Sequence, residues 1–321
     1  MKLLFIFTGG TIGSTACGET ISVDAAKPYL LCEKYAERYP VDFTYDTLEP
    51  FTELSENLTG EHISLLMQTV KAHLSDGYDG IIVTHGTDTL SYSAAALGYA
   101  LGNNTVPVCL VSANYPIEDP RSNGLANLHA AITLIRTRTA KGVFVLYRND
   151  MDDETVCHRA TRLSTSLALS DNVFSVLECP YGTLTEDGFV KNPEYTETPD
   201  EIDAPASLSL PARCTEILRI FPYPGMIYPA IPDGIHAILL DTYHSGTVDG
   251  KSPEAHAFLS EAMTRAIPVY VTDGAAYDST RIFDEYGVKR LPLSPIAAYT
   301  KLWLYGTGDE LTRSRGGDLF K

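Results

Sequence analysis

The chain has 321 residues, 44% of them hydrophobic, which is enough to fill the cores of two domains. Its formal charge is −17, and no cluster of lysine and arginine interrupts the acidic background, which argues against nucleic acid and anionic membranes as partners. No apolar run approaches the roughly 20 residues that a membrane-spanning helix needs.

Met1-Lys2 ahead of Leu3-Leu4-Phe5-Ile6-Phe7 imitates the opening of a secretion signal, but the apolar run stops at Phe7 with no clean cleavage pattern. It reads as a buried strand that ends at Gly9-Gly10. Residues 13–24 form a polar, glycine-containing segment suited to a lid, and residues 25–39 carry a helical pattern. A strand is expected at 41–48, then a loop with Glu53, Ser55, Glu56 and Asn57, then a helix at 61–74 with Thr59 as its N-cap. The apolar run 80–84 is the next strand, followed by the loop His85-Gly86-Thr87-Asp88-Thr89 and a helix from Ser91 to Leu101. Strands at 105–112 and 142–147 flank a helix at 123–137. The charged segment 151–162 is irregular apart from an extended piece at 155–158. A strand at 173–177 and a hairpin around Glu186-Asp187-Gly188 complete this half.

Composition then shifts. Between Lys191 and Pro211 lie Pro193, Pro199, Pro205 and Pro211 among acidic residues, the mark of an extended, solvated linker. Beyond it strands at 216–221, 236–241 and 268–272 alternate with helices at 253–265 and 296–305. The βα rhythm predicts an α/β protein: a larger N-terminal domain at 1–190 with a mainly parallel sheet flanked by helices, a linker at 191–213, and a smaller C-terminal α/β domain at 214–321.

Two strands thus end in polar loops, and in an open α/β sheet ligands bind beyond the carboxyl ends of the strands where their order reverses. Thr11, just after the diglycine, presents a hydroxyl among peptide N–H groups that can stabilise an oxyanion. A nucleotide-binding reading of Gly9-Gly10 to Gly13 lacks the P-loop lysine, the full glycine spacing and a well-placed acidic residue. His85, a conceivable general base, reads as structural. The six cysteines, Cys17, Cys32, Cys109, Cys157, Cys179 and Cys214, show no Cys-x-x-Cys pair and no metal-ligand spacing with histidine. They read as reduced cytoplasmic thiols, with Cys17 a passive loop residue.

Thr8-Gly9-Gly10-Thr11-Ile12-Gly13 together with His85-Gly86-Thr87-Asp88-Thr89 resembles the L-asparaginase/glutaminase family of threonine amidohydrolases, in its cytoplasmic branch. The resemblance implies an acyl-enzyme mechanism without cofactor or metal, converting L-asparagine to L-aspartate and ammonia and admitting weaker glutaminase activity. By it, Thr11 is the nucleophile, Thr87 holds the hydrolytic water, and Asp88 binds the substrate ammonium. Ser55 and Glu56 match the family's substrate-carboxylate segment, and Ser112-Ala113-Asn114 matches the loop that closes the pocket, which makes Ala113 a substrate neighbour. Arg121 to Asn127 is similar to the start of the following helix.

Two positions depart from the family pattern. Arg162, in Arg159-Ala160-Thr161-Arg162, stands where active members carry a lysine, and a guanidinium does not give up its proton. Thr20 stands where the lid usually has a tyrosine. A catalytically impaired homologue that binds an acidic amino acid, as a sensor or partner subunit, is therefore the alternative. The resemblance also implies a cytoplasmic homodimer or homotetramer, with the stretch Asp241-Thr242-Tyr243-His244-Ser245 at a subunit contact. A tRNA-dependent amidotransferase subunit resembles the same family, but that branch typically carries an extra N-terminal domain ahead of the first strand.

Overall fold

The computed structural model describes residues 1–10, 30–150, 152–272 and 277–320, together with the backbone of residues 14–17 and 20–23. Residues 2–191 build an eight-stranded sheet. Its strands are β1 (Lys2–Phe7), β4 (Thr44–Leu48), β5 (Gly80–Thr84), β6 (Val108–Val111), β7 (Val143–Tyr147), β8 (Thr155–Arg159), β9 (Gly182–Thr185) and β10 (Gly188–Lys191), while β2 (Ser14–Cys17) and β3 (Thr20–Val23) form a separate antiparallel pair. The order across the sheet is β10-β9-β8-β7-β6-β5-β1-β4. Strands β4, β1, β5, β6 and β7 are parallel, whereas β8, β9 and β10 run antiparallel to their neighbours. The chain starts at β1, places β4 on one side of it and β5 on the other, so the strand order reverses between β1 and β5.

Both faces of this sheet are covered. Along β1, Leu3, Phe5 and Phe7 pack with α1 (Leu30–Arg38) and α4 (Gly124–Arg136), while Leu4 and Ile6 face α2 (Gly60–His73) and α3 (Leu90–Leu101). Continuous apolar strands, rather than alternating ones, are what a parallel sheet buried on two sides demands. The Thr59 N–H donates to His62 Nδ1 at 3.1 Å, fixing the start of α2.

A second sheet of four parallel strands, β11 (Ile217–Ile220), β12 (Ala237–Leu240), β13 (Val269–Thr272) and β14 (Lys289–Leu291), carries α5 (Pro253–Thr264), α6 (Arg281–Glu285) and α7 (Pro295–Tyr305). Ser252 and Ser294 cap α5 and α7 by accepting the N–H of Ala255 and Ala297. Every residue of α3 except Tyr92 is buried, because its opposite side, with Ala95 and Tyr99, packs against Leu239, Tyr270, Ala297 and Leu302 of the second sheet and α7. A helix apolar all round belongs between two layers.

The expected strand at 173–177 does not form. Residues Val176–Glu178 make a short 3-10 turn with Leu177 at φ +56°, and only an isolated bridge joins Leu163 to Ser175. The expected strand at 105–112 shrinks to Val108–Val111: the Val106 N–H donates to Asn104 Oδ1, and Pro107 has no N–H to give a ladder.

Candidate active site

Three loops meet backbone to backbone at the reversal of strand order. Thr8, at the end of β1, donates its hydroxyl to the Thr84 carbonyl at 2.7 Å, tying together the ends of β1 and β5. The Thr8 carbonyl accepts the Glu53 N–H at 3.1 Å, and the Glu53 carbonyl accepts the Gly10 N–H at 3.2 Å, which brings in the segment after β4. Gly9 and Gly10 have φ of +93° and +78°. A Cβ on Gly9 would run into the Glu53 backbone, and one on Gly10 into the Gly86 backbone. Only glycine admits both the left-handed backbone and this approach.

The segment after β4 turns through a 3-10 helix at Ser55–Asn57 and buries Ser55 at 3% exposure beside Gly86. Ser55 Oγ accepts the Asp88 N–H at 3.2 Å and donates to Asp88 Oδ2 at 3.1 Å, and its carbonyl accepts the Thr89 hydroxyl at 2.9 Å. Thr87 is half-buried, and Asp88 and Glu56 are exposed. A buried serine thus holds a solvent-facing carboxylate at the mouth of the loop, ready to accept charge-assisted hydrogen bonds from a cation.

His85 lies fully buried behind this loop. Its Nδ1 is 2.7 Å from the Gly86 carbonyl, so Nδ1 carries the proton, and Nε2 accepts from the Ser93 hydroxyl at 2.8 Å. Burial pushes its pKa down. His85 is an internal brace between the loop and α3 and has no solvent-facing nitrogen.

The loop after β6 is fixed from below. Ser112 donates to the His85 carbonyl at 2.6 Å, and Asn127 donates to the Ser112 carbonyl at 2.9 Å while accepting the Arg148 N–H at 2.8 Å. Asn114 and Asn123 exchange side chain to backbone hydrogen bonds at 3.0 Å in both directions. Ala113 is fully buried in the core. The segment 121–127 therefore shapes the loops after β6 and β7 through two asparagines at the start of α4, a role for which the bare sequence offers only their position.

Arg162 lies elsewhere. It is 5% exposed, its Nε donates to the Gly317 carbonyl at 2.7 Å, and its Nη2 donates to Leu319 and Thr196 carbonyls at 2.6 and 3.1 Å, with the guanidinium over the Tyr195 ring. Among the described residues no lysine or arginine hydrogen-bonds Thr87 or Asp88. Lys191 packs over Tyr181 and Tyr195 and pairs with Glu197, and the Lys141 carbonyl serves Arg159. Thr11 lies outside the described residues, as do the side chains of Thr20 and Cys17. Thr20 pairs with Cys17 at the turn of the β2–β3 hairpin, within the segment expected to form a lid. The five described cysteines are unpaired, and no group of metal-ligating side chains occurs among the described residues.

Polar loops converging beyond the carboxyl ends of parallel strands define an α/β protein with a candidate site where ligands bind in open sheets. Residues 2–193 match the family description "Asparaginase, N-terminal", and the chain belongs to the asparaginase family. An L-asparaginase from Thermococcus kodakarensis is 29% identical over 307 residues, covering 93% of this chain and 88% of that protein. A subunit of the glutamyl-tRNA(Gln) amidotransferase from Pyrococcus furiosus is 27% identical over 332 residues, covering 96% of this chain and 73% of that one. Among solved structures, the thermostable L-asparaginase from Thermococcus kodakarensis superposes with a TM-score of 0.78 at 25% identity over 100% of both chains. L-asparaginase I from Vibrio cholerae shares the fold with a TM-score of 0.75 at 21% identity, over 100% and 99%.

Proposed function

We propose that this chain hydrolyses the side-chain amide of L-asparagine to L-aspartate and ammonia, with L-glutamine as a weaker substrate. The observation that carries the reading is the convergence of the Gly9-Gly10 loop, the Ser55 turn and the Thr87-Asp88 loop at the one point where strand order reverses. Thr11 follows Gly10 directly and supplies the attacking Oγ1. Oγ1 gives up its proton and forms a bond to the amide carbon, the C–N bond breaks, and the nitrogen takes up the proton released by the hydroxyl and leaves as ammonia. Water, held by Thr87, then cleaves the ester, releasing aspartate and restoring the hydroxyl. Asp88 takes the substrate ammonium, the Ser55-Glu56 segment borders the amino-acid end of the substrate, Ala113 backs the pocket, and Thr20 belongs to the lid. Arg162 is given no part in proton transfer, since its hydrogen bonds run to backbone carbonyls and its guanidinium keeps its proton. A cytoplasmic homodimer or homotetramer is the assembly proposed with this activity.

The amidotransferase relatives favour a second reading, in which glutamine is the amide hydrolysed. Ammonia release by the purified protein from L-asparagine and from L-glutamine, with Thr11→Ala alongside, separates the two. Faster release from asparagine, abolished by the substitution, is expected, and a preference for glutamine would move the assignment to the second reading. No release from either amide, by a folded protein that still binds L-aspartate, would replace both with a binding role.

A further inference from the structure

An arginine of the C-terminal sheet reaches the first turn of α3, next to the candidate site. Arg219, on β11, donates from Nε to Asp241 Oδ2 at 2.9 Å and from Nη1 to the Tyr92 hydroxyl at 2.8 Å. The two charged side chains are 10% and 8% exposed. The guanidinium lies 4.6 Å from the centre of the Phe221 ring and 5.9 Å from that of Tyr299, whose ring meets Tyr92 edge-on. Arg219 Nη2 and Asp241 Oδ1 are buried without a hydrogen-bond partner among the described residues.

Stability does not account for such a pair. Desolvating two charges costs several kcal/mol by the usual order of magnitude, and the attraction repays it only when every remaining atom is satisfied. Here one donor and one acceptor are left over, so an apolar pair would serve the core as well. What the apolar pair could not do is fix the Tyr92 hydroxyl.

Tyr92 is on the first turn of α3, and a chain of hydrogen bonds leads from it to the loop. Its N–H donates to the Thr89 carbonyl at 3.1 Å, the Thr89 hydroxyl donates to the Ser55 carbonyl at 2.9 Å, and Ser55 Oγ engages Asp88 twice. We infer that Arg219, braced by Asp241, is a positioning residue: through Tyr92 it sets the geometry of Ser55 and Asp88 toward a bound amino acid. The inference rests on the reading of Ser55 and Asp88 as substrate-binding groups.

The test uses the full chain with Tyr92→Phe and Arg219→Lys. Steady-state kinetics with L-asparagine, calorimetric binding of L-aspartate and amide hydrogen exchange over residues 85–93 are measured for each. The expected result is a rise of about tenfold in KM and in the aspartate dissociation constant, as for loss of one polar contact, with kcat changed by less than about threefold. Exchange should quicken at residues 86–92. Arg219→Lys keeps the charge but cannot span both partners, so it should move the same quantities in the same direction. Unchanged KM and aspartate binding in folded Tyr92→Phe, with only a lower unfolding temperature, would overturn the inference. If the wild type neither hydrolyses asparagine nor binds aspartate, the functional reading fails by itself. Exchange then decides the positioning role: faster exchange in Tyr92→Phe supports it, and unchanged exchange overturns it.

Discussion

Ser55 and Asp88, thirty-three positions apart in sequence, hold each other by two hydrogen bonds through a single oxygen: Ser55 Oγ accepts from the Asp88 N–H and donates to Asp88 Oδ2. The serine is buried and the carboxylate exposed, so the turn after β4 sets the direction in which the loop after β5 presents its charge.

Ser55→Ala removes both bonds and leaves the Asp88 N–H without its acceptor. Binding of substrate should weaken by about one to two orders of magnitude, the scale of one or two polar contacts. The loss should appear mainly in KM, because the contact serves ground state and transition state alike. Steady-state kinetics with L-asparagine checks this, and an unchanged KM would remove Ser55 from the site.

Gly10→Ala places a methyl group against the Gly86 backbone on a residue at φ +78°. Strain and displacement together should cost about 3 kcal/mol or more, seen as a lower midpoint in urea unfolding. Turnover should fall with it, since the loop carrying Thr11 must shift.

Arg162→Lys introduces the residue type that the resemblance leads one to expect at this position while withdrawing the forked donor from the carbonyls of Gly317, Leu319 and Thr196. Stability should drop by about 1–3 kcal/mol, the range for leaving buried polar groups unpaired, with no gain in ammonia release. Measured together, a stability loss without a rate gain supports a structural arginine. A clear rise in turnover would return this position to the chemistry.

His158 gives a prediction in pH. It is buried on β8 with Nδ1 2.8 Å from the Ser175 hydroxyl and Nε2 without a partner among the described residues, and burial lowers its pKa from 6.5 to about 3. The folded value lies below the unfolded one, so between these limits the unfolded chain binds more protons and stability falls as pH drops. The slope from this residue is about 1.4 kcal/mol per pH unit, and His85, also lowered by burial, adds in the same direction. Denaturant unfolding at pH 7 and pH 5 should show a smaller acid loss in His158→Gln than in the wild type. An equal loss would show that His158 does not titrate as its burial requires.

Much of this architecture is written locally. The apolar runs of β1 and β5 end at glycines, and Ser252-Pro253 opens α5 as an N-cap followed by proline should. Those signals suffice to find two strands with polar loops. The contact between the loops is not local. That Glu53 bridges Thr8 and Gly10, or that Ser55 reaches Asp88, follows from strand order, which no single segment encodes. The 173–177 segment, Val-Phe-Ser-Val-Leu, has strand propensity but finds only one bridge, at Ser175, so tertiary placement overrides it. The polar run after Gly13 contains the short β2–β3 hairpin, which its lid-like composition conceals. Arg162 is the hardest residue to read from sequence. Its motif neighbours are adjacent, while the acceptors Gly317 and Leu319 come more than 150 residues later.

That separation sets a schedule for synthesis. Arg159 donates to the Gly316 carbonyl and Thr161 to the same oxygen, beside the Arg162 bonds to Gly317 and Leu319. Until residues 316–319 have been made, two guanidiniums destined for the interior of the first sheet lack these acceptors. Residues 316–319 thus complete the interior beside the first sheet, and a chain without them would leave both guanidiniums short of these acceptors.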